Sequence, residues 1–129
     1  MTKLTYTKKR TMIVSNASIS DPETGCRFIV PVTNPEADLT AIARRVWELA
    51  NATGTRVQFL GLCNDAMREP GLRRALATMS AMVNYGNVPA ESEILFVRDW
   101  VDGVKSHVQA GDTVICWHEQ CSRLMRTNL

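Results

Sequence analysis

Short apolar runs alternate along the chain with longer stretches in which apolar residues recur every three or four positions. The first run, Arg27–Val32, is rich in β-branched residues, and similar runs follow at 56–63, 93–97 and 113–117. Runs of this length that are bounded by turn residues predict strands buried on both faces. Pro31 predicts an irregularity in the first strand, because proline donates no hydrogen bond to a sheet.

Helices are predicted between these strands. The first, over 38–54, opens on a capping aspartate and closes on a glycine suited to the left-handed conformation. The second covers 70–86, and the third follows Asp99 and stops at Gly111. A short amphipathic helix is predicted over 119–125. The order β-α-β-α-β-α-β-(α) indicates an α/β fold with a parallel sheet that helices cover on both faces.

The N-terminal segment has a different character. Residues 1–24 form a polar tail with a basic cluster, and residues 25–129 form the predicted α/β domain. Within the tail, Thr11–Ser15 predicts a weak extra strand. That strand either covers the sheet as an edge strand or leaves an exposed edge that pairs with a second subunit.

Composition narrows the classes of function. The 129 residues carry a net charge of +2 from 15 basic and 13 acidic side chains, which does not favour a nucleic-acid partner. Hydrophobic residues make up 45% of the chain, which is typical of a globular domain. There is no secretory h-region and no apolar run long enough to span a bilayer, so we expect a soluble, cytoplasmic protein whose four cysteines are reduced.

The motifs of phosphate cradles and catalytic centres are missing from the sequence. Neither G-x-x-x-x-G-K-[ST] nor G-x-G-x-x-G occurs. His107 falls among solvent-facing helix positions, and Cys116 with His118 lacks a third group that would orient the base. Cys116, His118 and Cys121 lack the fourth ligand that structural zinc needs. We therefore expect no catalytic residues, no metal and no cofactor.

A small-molecule site is expected at the carboxyl ends of the strands, since ligands bind there in open parallel sheets. The polar or aromatic residues that follow the first, second and fourth of these strands are the candidates. They are Thr33, Asn34, Asn64, Asp65, Trp117, His118 and Glu119.

Two short motifs resemble universal stress protein domains, including the divergent ones fused as cytosolic tails to bacterial cation–proton antiporters. These are the run Ile29-Val30-Pro31-Val32 before an amphipathic helix, and the stretch Ala-Gly-Asp-Thr-Val-Ile at 110–115. The resemblance implies a flavodoxin-like three-layer sandwich with sheet order 3-2-1-4, in which the N-terminal strand could occupy the remaining edge. It also implies a homodimer and association with a membrane transporter.

ATP-binding members of that family carry an aspartate after the first strand and glycines after the fourth. Thr33 stands in the first place, and residues 117–120 contain no glycine. The expected function is therefore a non-catalytic regulatory, binding or dimerisation module in the stress response that does not bind ATP. The alternative is a degenerate adenine-nucleotide-binding domain.

Overall fold

Four parallel strands and one antiparallel strand make up the sheet in the described part of the chain. The computed structural model describes residues 27–34, 38–109 and 111–116, together with the backbone of 12–15. The strands are β1 (Met12–Ser15), β2 (Arg27–Val32), β3 (Arg56–Cys63), β4 (Ala90–Phe96) and β5 (Asp112–Cys116). Their order is β1-β5-β2-β3-β4. The predicted order of the parallel strands and the N-terminal edge strand are both confirmed.

The helices of the described residues are α1 (Leu39–Thr53), α2 (Glu69–Tyr85) and α3 (Trp100–His107), with a 3-10 turn at Ala66–Arg68. Local chemistry fixes the bounds of α1. The Asp38 side chain accepts a hydrogen bond from the Ala41 amide at 3.1 Å, and Gly54 closes the helix in the left-handed conformation at φ 69°.

The helices form two layers around the sheet. Helices α1 and α2 pack on one face, where the buried side chains include Val30, Phe59 and Met79. Helix α3 packs on the other face against Ile29, Leu60 and Val114 and their neighbours. Since β2, β3 and β4 follow one another in one direction and β5 returns to the far side of β2, the strand order reverses between β2 and β5.

The bounds of β4 and α3 differ from the sequence prediction. Strand β4 starts at Ala90 and not at 93, because its pairing with β3 begins at Val57 with Ala90. The Asn84 side chain also forms hydrogen bonds with both the amide and the carbonyl of Ala90. Helix α3 ends at His107, and Gly111 instead forms a left-handed turn before β5 at φ 93°. Pro31 stays within a continuous strand, but the pairing of β2 with β5 stops at Ile29 while that with β3 runs to Val32.

A polar network ties the amino ends of the strands together. Arg27 on β2 donates two hydrogen bonds to the buried Asp112 carboxylate on β5, at 2.8 and 3.0 Å. Arg27 and His107 both contact the Gln58 side-chain oxygen, the latter at 3.0 Å, and Gln58 donates to Glu93 at 3.0 Å. We call these five residues the amino-end network.

The network overturns the expectation that His107 faces solvent. Its side chain is only 17% exposed. The last turn of α3 lies over polar positions of β3 and β4, so a position that the helical pattern marks as outward contacts the sheet.

The cysteines depart in part from the expected reduced state. Cys63 is a buried free thiol. Cys116 is disulfide-bonded, so the expectation of reduced thiols is wrong for Cys116. Spacing along the chain does not reveal which sulfur atoms the fold brings together.

Two further expectations concern membrane-spanning helices and the division of the chain into domains. None of the described helices is long and apolar enough to cross a membrane. The division into residues 1–24 and 25–129 is not tested and stays a prediction.

Candidate ligand-binding site

A cavity among the described residues opens at the carboxyl ends of β2, β3 and β4. Its volume is about 430 Å³, which lies in the range of roughly 300–1,000 Å³ typical of small-molecule sites. We call it the carboxyl-end cavity. Its lining consists of Thr33, Leu62, Cys63, Asn64, Arg68, Leu72, Val97, Arg98, Asp99 and Trp100.

The strand ends that form the cavity are held in register. Strands β3 and β4 pair from Val57 with Ala90 to Cys63 with Phe96. The Val97 amide then donates to the Cys63 carbonyl at 2.9 Å, which extends the pairing past the end of β4. Because of this bond, the segments that follow the two strands begin side by side.

Capping side chains shape the two loops that follow. After β3, the Asp65 carboxylate accepts a hydrogen bond from the Met67 amide at 2.9 Å and opens the 3-10 turn that ends at Arg68. After β4, the Asp99 carboxylate accepts from the Val101 amide at 3.1 Å and begins α3. Short polar side chains commonly satisfy the free amides at helix starts in this way. Arg68 and Arg98 therefore sit on two locally defined loops at the cavity.

The thiol of the cavity is not an exposed nucleophile. Cys63 is 5% exposed, and its sulfur lies 2.8 Å from the Asp65 carbonyl oxygen, to which the thiol donates. A reactive cysteine needs an accessible, electropositive setting that favours the thiolate. Cys63 therefore belongs to the wall of the cavity.

The residues expected from the sequence to bind a ligand are divided by the structure. Thr33 and Asn64 line the carboxyl-end cavity together. Asn34, which is exposed, and Asp65, whose side chain caps the 3-10 turn, are not among the described lining residues. The other three candidates, Trp117, His118 and Glu119, lie outside the described residues.

Sequence reasoning missed the four lining residues that bring charged or aromatic side chains to the cavity. They are Arg68, Arg98, Asp99 and Trp100. A signal was present, because Arg68 follows the end of β3 by five residues and Arg98 follows β4 by two. Arginines placed just after neighbouring parallel strands are brought to the same edge of the sheet.

Two other features of the described residues bear on function. A smaller cavity of about 140 Å³ lies at the amino ends of the strands, and Arg56, Gln58 and Glu91 are among its lining residues. The described residues contain no group of three histidine, cysteine or acidic side chains that could hold a metal ion.

Comparisons with known proteins identify the fold. A solved structure of a universal stress protein from Archaeoglobus fulgidus superposes with a TM-score of 0.54 at 13% sequence identity, covering 71% of this chain and 98% of that one. No family model matches the sequence, and no curated protein matches it. At this level of identity the likeness concerns architecture alone. The chain has the α/β fold of the universal stress proteins.

Proposed function

We propose that the chain is a non-catalytic regulatory module that binds a small molecule in the carboxyl-end cavity. The observation that carries the proposal is the cavity itself, which has the volume of a ligand site. It lies at the carboxyl ends of β2, β3 and β4, which is the end of an open parallel sheet at which ligands bind. Its described lining combines apolar side chains with a few polar groups from separate loops. This composition is typical of sites that recognise a ligand by shape and by a small number of hydrogen bonds.

The arrangement of reactive groups supports a binding role. Covalent catalysis needs a nucleophile beside a base that a third group orients. The Cys63 thiol donates a hydrogen bond to a backbone carbonyl. His107 lies at the end of α3 that is remote from the cavity, where it contacts Gln58. The described lining thus offers binding groups and no paired nucleophile and base.

The proposal does not include ATP as the ligand. Backbone cradles for a triphosphate use glycines, because only a chain without Cβ atoms can close around the phosphates. The described lining of the cavity contains no glycine. A degenerate adenine-nucleotide site is the competing interpretation, and the same experiment separates the two.

A ligand screen by thermal denaturation tests the binding role. The library contains neutral and charged metabolites together with ATP, ADP, AMP and cyclic nucleotides. A ligand that binds only the native state at about 100 times its Kd adds about 2.7 kcal/mol to the free energy of unfolding. We expect at least one compound to raise the Tm of the wild type but not of Asn64→Trp, whose indole would fill the exposed rim of the cavity.

The control variant is Asn51→Trp, which places the same side chain at an exposed position of α1 outside the cavity. It should keep the response of the wild type. If no compound stabilises the wild type, or if Asn64→Trp responds as the wild type does, the cavity is not the site. Strong stabilisation by ATP would support the nucleotide interpretation instead.

The fold also motivates three expectations about the protein's setting, which belong to the proposal. They are a homodimer, a cytoplasmic location and association with a membrane transporter. Sedimentation equilibrium tests the dimer, and a monomer at all concentrations would contradict it. Disulfides are uncommon in the cytosol, so the Cys116 disulfide does not favour that location. Alkylation of the protein at the moment of cell lysis tests it: a reduced Cys116 thiol would support a cytoplasmic location, and an oxidised one would contradict it. Crosslinking in intact cells tests the transporter.

A further inference from the structure

We propose that the ligand of the carboxyl-end cavity is a small organic anion whose phosphate or carboxylate group is bound by Arg68 and Arg98. The inference rests on the proposed function and adds the chemical class of the ligand. It starts from the charge of the described lining, in which two arginines stand against one acidic residue, Asp99. This described lining has a net positive charge, which attracts an anion and repels a cation.

The two arginines have no acidic partner of their own. Neither guanidinium forms an ion pair within the described part of the chain, whereas three other arginines do. These are Arg27 with Asp112, Arg45 with Glu48 and Arg73 with Glu69. The guanidinium group presents a planar fork of donors that matches the oxygens of a phosphate or a carboxylate. Arg68 and Arg98 thus bring unused donors to the cavity wall.

Asp99 does not cancel this charge as a direct partner of either arginine. Its carboxylate accepts from the Val101 amide at 3.1 Å, as the cap of α3. The described structure contains no ion pair between Asp99 and Arg68 or Arg98, although Asp99 precedes α3 directly after Arg98. Asp99 serves α3 as its cap, and neither Arg68 nor Arg98 is ion-paired with an acidic side chain in the described part of the chain.

The loops hold the arginines at the same edge of the sheet. The Arg68 amide donates to the Asp65 carbonyl at 3.0 Å, which closes the turn after β3. Arg98 directly follows Val97, whose amide is bonded to the Cys63 carbonyl at the end of β3. Backbone positions fixed before binding reduce the entropy lost when the ligand is bound.

The rest of the lining indicates that the anion has an apolar part. Leu62, Leu72 and Val97 provide apolar surface, and Trp100 adds an aromatic ring. A cavity of about 430 Å³ exceeds what a bare phosphate or sulfate ion fills. Thr33 and Asn64 add a hydroxyl and an amide, which can bond polar groups of the ligand. An organic phosphate or an organic carboxylate satisfies all of these features.

Calorimetric titration with matched probes tests the inference on the full chain. The probes are phenyl phosphate, benzoate and phenol, which share one ring and differ in charge, and the first two distinguish phosphate from carboxylate as the anionic group. The variants are Arg68→Gln and Arg98→Gln. The control is Arg74→Gln, which removes an exposed arginine of α2 that does not line the cavity. Thermal denaturation of each variant without probe verifies that it folds.

We expect at least one of the two anions to bind at least ten times more tightly than phenol. Hydrogen bonds to charged groups contribute about 1.5–3 kcal/mol, so each cavity variant should weaken that anion by about 10- to 100-fold. Arg74→Gln should change its affinity less than twofold. Added NaCl should weaken binding of the anion and leave phenol unaffected.

Three results would overturn the anion inference while leaving the cavity as a ligand site. In the first, phenol binds as tightly as the anions. In the second, Arg68→Gln and Arg98→Gln keep the wild-type affinity. In the third, only neutral compounds of the larger screen stabilise the protein, in a manner that Asn64→Trp abolishes. If neither the probes nor any compound of that screen binds, the inference and the proposed function fail together.

Discussion

The Arg27–Asp112 pair joins β2 to β5 at the point where the strand order reverses, and removing its acid tests how the sheet is held there. The paired register between these strands covers only Arg27 with Asp112, Phe28 with Thr113 and Ile29 with Val114. The Asp112 side chain is 4% exposed and that of Arg27 is 16% exposed. Asp112→Ala would leave the guanidinium and the Gln109 amide, which is 2.8 Å from the carboxylate, without their acceptor.

Removing one partner of a buried ion pair costs about 3–5 kcal/mol, because the remaining charge stays desolvated. Arg27 keeps its contact with Gln58 and a little solvent, so we expect the lower end, about 3 kcal/mol. At a urea m-value of about 1.5 kcal/mol per molar, this lowers the unfolding midpoint by about 2 M. Urea denaturation followed by tryptophan fluorescence measures the change.

Two further variants separate the charge from the shape of the site. Glu48→Ala breaks an exposed ion pair on α1 and should cost less than about 0.5 kcal/mol. The double variant Arg27→Met with Asp112→Leu removes both charges and should recover much of the lost stability, since apolar replacements of buried pairs are often neutral or better. An Asp112→Ala cost below about 1 kcal/mol, close to that of Glu48→Ala, would refute the reasoning.

Four other substitutions test the packing and the helix ends, again by urea denaturation. Gly61→Ala should destabilise the fold by about 1–3 kcal/mol, because the new methyl group would lie 2.5 Å from the Leu76 Cδ1 atom. Gly71→Ala, whose methyl group would meet nothing within 4 Å, should stabilise the fold by up to about 1 kcal/mol. Equal changes in stability for Gly61→Ala and Gly71→Ala would contradict the close contact of Gly61 with Leu76. Asp38→Ala should cost about 1 kcal/mol by removing the cap of α1, and an unchanged midpoint would show that the cap is dispensable. Trp47→Phe removes an indole hydrogen bond of 2.9 Å to a backbone carbonyl after α2 and should cost at least about 1 kcal/mol; no loss would mean that this bond adds nothing.

Most of the fold could be predicted, because the signals that begin and end its helices and strands lie close together in the sequence. The cap at Asp38 and the stop at Gly54 act within one helical turn of the residues that they bond. Alternation of strands with helices then restricts the sheet to parallel pairing with right-handed crossovers. The start of β4 was harder to predict, since it depends on pairing with β3, a strand more than thirty residues away in the chain, which begins at Val57 with Ala90.

The site depends on contacts between distant parts of the chain, so it could be predicted only in part. Thr33 and Asn64 follow strands directly, and their place at the cavity follows from the rule for parallel sheets. The contact of His107 with Gln58 spans 49 residues, and helix periodicity could not reveal it. The position of Arg68 at the cavity depends on the 3-10 turn Ala66–Arg68, which the pattern of apolar residues does not predict.

The central claim is that a ligand binds in the carboxyl-end cavity, and amide chemical-shift mapping tests it most directly. The compound that stabilises the wild type most strongly is titrated into isotopically labelled protein while the two-dimensional amide spectrum is recorded. We expect the shifts to concentrate at residues 33, 62–64, 68 and 97–100, with little change at Arg56 or Glu91 beside the smaller cavity. Shifts confined to Arg56, Gln58 and Glu91, with the residues of the carboxyl-end cavity unmoved, would contradict the claim.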